Sequence, residues 1–414
     1  MPTSDPNVIS IKIFIKKIYH GRVGIIFLKP MYFFIKFLIG GGLILICYAI
    51  KPFLFIRFGR IYTSRIGHLC YNVDNYISTR RIRDSKELAI FQRDKYISNF
   101  EIYKIWSEDK QIIFTLYSNI PRWFLEQFMP DSEFLISWNQ ELHPEYSYAS
   151  LTQSNINLSK RIMKDIGGAI SGGKIISPYI CLHNRDSAYL QHYGGDGNHH
   201  DFRDFKFEDL RQTINQITEI GVTAVRLGEI VEAEYRTKNP RFVSMVGSKR
   251  SDLLDVYIIA ECLFFVGCNT GFSIVPRLFR KPQLLINYIP FNMAELSAWS
   301  AGSLIVPKKI YSKTEKRYLR FFEMAVLPYD IHYRGDFFEE NNLLVEENSP
   351  KEIADAVTEM FSRVMGTWKD TEVQCKLQDK FWISVADIKY SLDLRDAFGI
   401  KISSTFLEKN HFLI

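Results

Sequence analysis

SDLLDVYIIAECLFFVGCNTGFSIVPRLFRKPQLLINYI, residues 251–289, decides the fold. Ser251-Asp252 reads as a cap ahead of a helix over 252–262. LFFVGC (263–268) is a short, unbroken apolar run, the pattern of a strand buried on both faces. A small-residue turn follows, then a helix over 271–279 that stops at Arg280-Lys281-Pro282, and QLLINYI (283–289) is a second buried strand. Short apolar runs alternating with helical stretches predict parallel strands joined by crossover helices.

The alternation extends upstream. ISPYICL (176–182) and VTAVRL (222–227) read as strands, separated by a helix over 208–220 that Gly221 stops. Nearer the N-terminus the same theme runs through FLFIRF (53–58), a glycine turn at Gly67 with a helix through Tyr76, and ELAIF (87–91). A helix near 95–106, QIIFTLY (111–117) and a helix from Pro121 complete it. The expected fold class is α/β, with two Rossmann-like domains facing across a cleft. The first is expected over 53–172 and the second over 173–385, with the boundary in the Gly-rich AISGGK stretch at 169–174. Residues 386–414 lack the alternation and are expected to pack back as a helix and a tail.

Residues 1–52 differ in kind. Up to residue 66, Lys12, Lys16, Lys17, Arg22, Lys29, Lys36, Lys51, Arg57, Arg60 and Arg65 face only Asp5, so the net charge of +6 is concentrated there. The run MYFFIKFLIGGGLILICYAIKPFLFI (31–56) is apolar but broken by Lys36, Gly40-Gly41-Gly42 and Lys51-Pro52. A spanning helix would have to snorkel Lys36. A re-entrant or surface-lying segment, with its basic flanks on anionic lipid, accounts for both features. A buried core hairpin is the competing reading, and a cleaved secretory signal is not expected because no small-residue cleavage site follows. The six cysteines have no CxxC spacing and read as buried thiols of a reducing compartment.

In an open α/β sheet ligands sit where strand ends meet helix starts, so the chemistry is sought in those turns. Asn269, Thr270, Gly271 and Ser273 follow LFFVGC, and such a turn lets backbone N–H groups approach a diphosphate. The plainer reading is an N-cap, which needs only Thr270. His183, Arg185 and Asp186 leave the strand ISPYICL: Arg185 suits a leaving diphosphate, and His183 or Asp186 suits the acceptor proton. The alternative is a backbone-bonded His183 and a surface Arg185–Asp186 pair. Arg226 ends VTAVRL and either reaches a phosphate or pairs with Glu229 or Asp252. Arg65, Gly67 and His68 open the first helix of the first domain and are expected to face the second domain across the cleft. His192, His199, His200, Asp201 and Asp204 invite a metal reading, but adjacent histidines point apart and no zinc spacing follows, so a polar loop is expected. No DxD-type carboxylate pair is found, so no metal and no cofactor beyond the donor substrate is expected.

RIGH (65–68), HNRD (183–186), FRD (202–204), VRLG (225–228), residues 251–271 and SPKEIADAVTEM (349–360) together resemble a family of uncharacterised bacterial glycosyltransferases. That family lies among surface-polysaccharide genes and is distantly similar to fucosyltransferase-like GT-B enzymes. Asn184 stands where valine is commoner, and Cys268-Asn269-Thr270 replaces a small-hydroxyl triplet. The resemblance implies a nucleotide-sugar donor held mainly by the second domain, at His183, Arg185, Asn269, Thr270 and Ser273, with Arg65 and His68 opposite. It also implies a glycan or lipid-linked acceptor received by the first domain. With the basic N-terminus, it implies O-antigen or capsule synthesis at the cytoplasmic face of the inner membrane, peripheral or monotopic, with no nucleic-acid partner. Two other classes fit the same shell: a non-catalytic glycan-binding protein and a nucleotide-sugar epimerase.

Overall fold

The computed structural model describes residues 29–80, 86–116, 119–136, 178–192, 201–247, 250–296, 298–328, 331 and 334–414. The expected boundary at 169–174 and the pair His199-His200 lie outside the described residues. The chain divides into two compact units. The first holds residues 1–62, 84–96 and 106–140, and the second holds 63–83, 97–105 and 141–414.

In the first unit, helix α1 (Lys29–Ile50) leads through three residues of turn into strand β1 (Phe55–Ile61). Helix α2 (Ile66–Arg80), which belongs to the second unit, separates β1 from β2 (Glu87–Arg93). Helix α3 (Phe100–Ser107), which up to Ile105 also belongs to the second unit, strand β3 (Ile112–Thr115) and helix α4 (Ile120–Phe128) follow. β1, β2 and β3 form a parallel sheet in that order, with Phe55 opposite Glu87 and Ala89 opposite Ile112. Arg57, 3% exposed, reaches sideways from β1 to Glu87 at 3.3 Å and to the carbonyls of Glu133 (2.8 Å) and Leu135 (3.1 Å). The buried charge thereby ties the 133–135 segment to the sheet, as a desolvated guanidinium requires.

α1 is one continuous helix through Gly40-Gly41-Gly42, not a hairpin. It is also long and apolar enough to cross a membrane. Its contacts repeat every three to four residues, the helical period. Phe33 meets Trp123 at 5.3 Å between ring centroids, and Phe37 meets Phe124 at 5.4 Å and Phe128 at 5.0 Å. Gly40 lies against Phe124, while Ile44 and Cys47 are buried with Phe58, Phe134 and Leu135.

The second unit is built on a seven-stranded sheet. Its strands are β4 (Tyr179–Leu182), β5 (Thr223–Gly228), β6 (Phe242–Val246), β7 (Phe265–Gly267), β8 (Gln283–Tyr288), β9 (Leu304–Pro307) and β13 (Lys401–Ile402). They lie in the order β13-β9-β8-β7-β4-β5-β6, and every pairing is parallel. β4, β5 and β8 are buried at every position, which is why they read as continuous apolar runs. Helix α5 (Arg211–Glu219) precedes β5, α6 (Asp252–Glu261) precedes β7, and a short 3-10 turn with helix α7 (Val275–Leu278) precedes β8. Strands β10 (Lys309–Ser312), β11 (Arg317–Tyr318) and β12 (Leu343–Glu346) make a small antiparallel sheet beside it.

The chain fills the sheet from β4 outwards through β5 to β6, then returns to the other side of β4 and proceeds from β7 to β13. That reversal is a topological switch point, between β4 and β7, and ligands of doubly wound sheets bind outside the carboxyl ends of the strands there. The last thirty residues do more than pack back: β13 pairs with β9 at the sheet edge, Lys401 opposite Leu304. Helix α8 (Pro350–Val364) holds them in place. Its buried Glu359 accepts from the backbone N–H groups of Ser404 and Thr405, both at 3.1 Å, and so caps helix α9 (Ser404–Lys409).

Candidate active site

At the switch point the turn leaving β4 and the turn leaving β7 lie side by side. His183 N–H donates to Val266 O at 2.9 Å, which carries strand pairing one residue beyond β4. The His183 ring sits 4.9 Å from Phe272 and 6.4 Å from Phe265. Nδ1 lies 3.2 Å from Leu227 O. A carbonyl only accepts, so the proton is on Nδ1 and the lone pair on Nε2. Burial lowers the imidazole to about 4, against the opposing pull of the Leu227 bond and Asp186. The ring is therefore neutral at ordinary pH, and burial works against its protonated form.

Asp186 has structural work instead. Its carboxylate accepts from Ala188 N–H at 3.2 Å and Glu232 N–H at 3.1 Å, starting the helix at 188–192 and holding the 229–233 loop. Of the two bases expected from the sequence, His183 is the one whose second ring nitrogen has no hydrogen bond among the described residues. Arg226, expected to reach a phosphate or an acidic partner, bonds other groups of the chain. It is 1% exposed, donates to Ala233 O at 2.9 Å and Asn184 Oδ1 at 3.4 Å, and stacks 3.9 Å over the Phe207 ring. Neither Glu229 nor Asp252 is its partner; both pair with Arg250. Asn184 in turn donates to Phe205 O at 3.2 Å, which accounts for an amide where an aliphatic residue would serve a plain turn.

At the turn 270–273, the expected diphosphate cradle, the polar side chains bond one another. Gly271 abuts Gly67: a Cβ on Gly67 would stand 2.8 Å from the Gly271 Cα. Thr270 Oγ1 is spent on Ser273 N–H (3.2 Å) and lies 3.0 Å from Ser273 Oγ, and Ser273 is wholly buried. The helical segment behind them is a single 3-10 turn and one turn of α7, too short for a substantial dipole. The plainer N-cap reading describes this turn. Asn269 is 9% exposed and donates to Glu295 at 3.1 Å.

Arg65, Gly67 and His68 are not in the first unit at all. They open α2, which packs within the second unit beside the 271–274 turn. Asp74 on α2 is fully buried, 2.9 Å from Arg277 Nε and 3.3 Å from both Nη atoms of Arg280. Asn75 takes Arg277 Nη2 at 2.8 Å. That ionic lock is what presses the two glycines together. Arg65 is exposed, and His68 is half-buried with Nδ1 3.5 Å from the Asn72 amide.

The cations that gather at the strand ends are Arg185, Arg203 and Lys308. Arg185 pairs with Asp204, its backbone hydrogen-bonds the Cys268 thiol, and its carbonyl accepts Phe205 N–H at 3.3 Å. Lys308, just past the end of β9 and 3% exposed, donates to Asp204 O at 2.9 Å and lies 3.7 Å from Glu347. Burial and then the neighbouring Arg203 lower Arg185 to about 10. Burial lowers Lys308 too, with Arg185 adding to the effect against Glu347. Cations desolvated near one another at strand ends mark a place where an anion restores the lost stabilisation. Arg203 and Lys308 escaped the sequence reading. Arg203 lies in FRD at 202–204 with no strand before it to mark it, and the signal for Lys308 is a basic pair directly after the apolar run LIVP.

Among the described residues no group of three His, Cys, Asp or Glu side chains is placed to hold a metal ion. A pocket of about 530 Å³ lined by Arg317, Arg320, Phe322, Glu323, Ser384 and Ile414 shares no residue with the strand ends. Arg317 there is already paired with Glu323 and Glu315.

No protein-family model matches the chain, and no protein of curated function matches it. Several solved structures are similar in fold. The Escherichia coli ADP-heptose lipopolysaccharide heptosyltransferase II shares 9% identity at a TM-score of 0.43, over 75% of this chain and 99% of that one. The E. coli heptosyltransferase WaaC with ADP shares 12% at 0.36, over 69% and 99%. The UDP-GlcNAc 2-epimerase from Neisseria meningitidis shares 10% at 0.30, over 76% and 100%. The α/β architecture itself stands on the parallel pairings and the strand order.

Proposed function

We propose that the chain is a glycosyltransferase that moves a sugar from a nucleotide-diphosphate donor to a hydroxyl of a glycan or lipid-linked acceptor at the cytoplasmic membrane face, in surface-polysaccharide synthesis. One observation carries the reading: Arg185 and Lys308, with Arg203 in their field, gather at the β4–β7 switch point next to a neutral histidine whose lone pair is on Nε2. In the proposed step the acceptor oxygen bonds to the anomeric carbon as its proton passes to His183 Nε2. The bond from that carbon to the donor's diphosphate breaks, and the electron pair leaves with the diphosphate. Arg185, Lys308 and Arg203 stabilise the charge that develops there. The turn at 269–273 shapes the site through its backbone position. Neither a metal nor a cofactor is invoked in this step.

Donor binding and turnover are measured with the full chain and a panel of UDP-, GDP-, ADP- and CMP-sugars. Arg185→Ala and Lys308→Ala are each expected to weaken the best donor about 10- to 100-fold, the loss of one charge-assisted contact of roughly 1.5–3 kcal/mol. A chain that binds no nucleotide by calorimetry and turns over no donor ends this reading.

A further inference from the structure

Helix α1 has two faces of opposite character. The inward strip, Phe33, Phe37, Gly40, Ile44 and Cys47, packs on α4 and the 133–135 segment along about 21 Å of helix at 1.5 Å per residue, with Gly40, Ile44 and Cys47 buried and Phe33 and Phe37 in ring contact but partly open. Lys36 belongs to the inward side, its ammonium 4.0 Å from the Trp123 ring centroid. The outward strip carries Phe34 (59% exposed), Leu38 (55%), Leu45 (71%) and Ile46 (57%). Gly42 on that side has nothing within 4 Å of where its Cβ would be. The strip continues into Phe53 (80%) at the end of the turn. No charged residue lies between Lys36 and Lys51.

A monomer in water rarely leaves so continuous an apolar strip open. The charge around it names the cover: Lys12, Lys16, Lys17, Arg22 and Lys29, preceding the strip with only Asp5 against them, are complementary to anionic headgroups. The inward cover sets the orientation. α4 brings the ion-paired Arg122 and Glu126 level with the middle of α1, and the exposed pair Lys51–Glu133 (2.5 Å) sits at its end. A helix crossing the bilayer would draw these charges into hydrocarbon, where ionisable groups are expensive. A helix lying in the interface leaves them on the water side.

We propose that α1 lies in the plane of an anionic bilayer as a monotopic helix, with the Phe34–Leu38–Leu45–Ile46 strip at the acyl boundary and the β1–β2–β3 sheet on its water side. The proposal is independent of the sugar-transfer reading, because its test needs lipid alone. The full chain is floated with vesicles of phosphatidylcholine, with and without three parts in ten phosphatidylglycerol. The anionic vesicles are expected to bind more tightly, and the double variant Leu38→Glu, Leu45→Glu to lose at least tenfold in partitioning with its melting temperature nearly unchanged, both sites being exposed. Depth is then read with an environment-sensitive dye on single cysteines placed at Met31, Leu38, Gly42 and Ala49 in a Cys375→Ser background, quenched by lipids brominated at known depths. Equal, shallow depths support the in-plane helix. Deep quenching at Leu38 and Gly42 with shallow quenching at Met31 and Ala49 overturns it in favour of a span. A chain that stays in solution, as a monomer or as a dimer that the double variant dissociates, overturns it as well.

Discussion

His183 shows how one side chain's surroundings select its role. Burial drives the imidazole from its ordinary 6.5 to about 4, so between those values the unfolded chain binds a proton that the folded chain refuses. Stability from this group is therefore complete above pH 6.5 and is lost as pH falls towards 4. Wild-type protein is expected to lose on the order of 2 kcal/mol more than His183→Gln between pH 7 and pH 4.5, read by urea unfolding at both pH values. Equal losses would show that the ring is not held neutral. Arg226 carries the opposite lesson. A strand-end arginine reads as a phosphate ligand, but the side chain folds back over Phe207 to bond Asn184 and Ala233. One chain's sequence lists donors and acceptors without saying which partners come within reach, and one partner of Arg226, Asn184, is 42 residues away.

At the scale of elements, close approach decides what a glycine is for. In α1 a Cβ on Gly40 would stand 2.7 Å from the Phe124 Cβ, whereas one on Gly42 would meet nothing within 4 Å. Gly40→Ala is expected to destabilise the first unit by about 1–3 kcal/mol through overpacking. Gly42→Ala should stabilise it by up to about 1 kcal/mol through helix propensity. Thermal melting of the two variants checks the opposite signs, and a shared sign would mean that α1 does not pack along α4. The helices also show what pattern alone conveys. A span, a surface helix and a hairpin all tolerate the same apolar run, and only the contacts at Phe33, Phe37, Ile44 and Cys47 reveal which side is covered.

At the scale of the whole chain, the division into units departs from sequence order. α2 follows β1 in the chain yet belongs with the second unit, fastened by Asp74 to Arg277 and Arg280 more than 200 residues later. Asp74→Asn removes the charge of a buried carboxylate that Arg277 and Arg280 share. The expected cost is about 3–5 kcal/mol. Hydrogen exchange should then quicken over 66–80 and 275–280 and stay slow in β1 and β2. Unchanged protection in α2 would show that the Asp74 pair does not hold it.

The strands β4, β5, β7 and β8 were legible in the sequence because strands covered on both faces must be apolar throughout, a local requirement that leaves a continuous run. β6, β9 and the two-residue β13 were not read. β6 is half-covered along its length and β13 is too short to leave a pattern. The sequence by itself determined an α/β chain, the turns at 183–186 and 269–273 as the place to look, and a basic, apolar N-terminus. Tertiary structure alone decided that Arg65–His68 joins the second unit, that Gly67 closes the turn at Gly271, and that Lys308 lies buried within reach of Asp204, the partner of Arg185. The reason is physical: periodicity and turn chemistry act within a dozen residues, whereas burial, desolvation and ion pairing depend on side chains that only folding brings together.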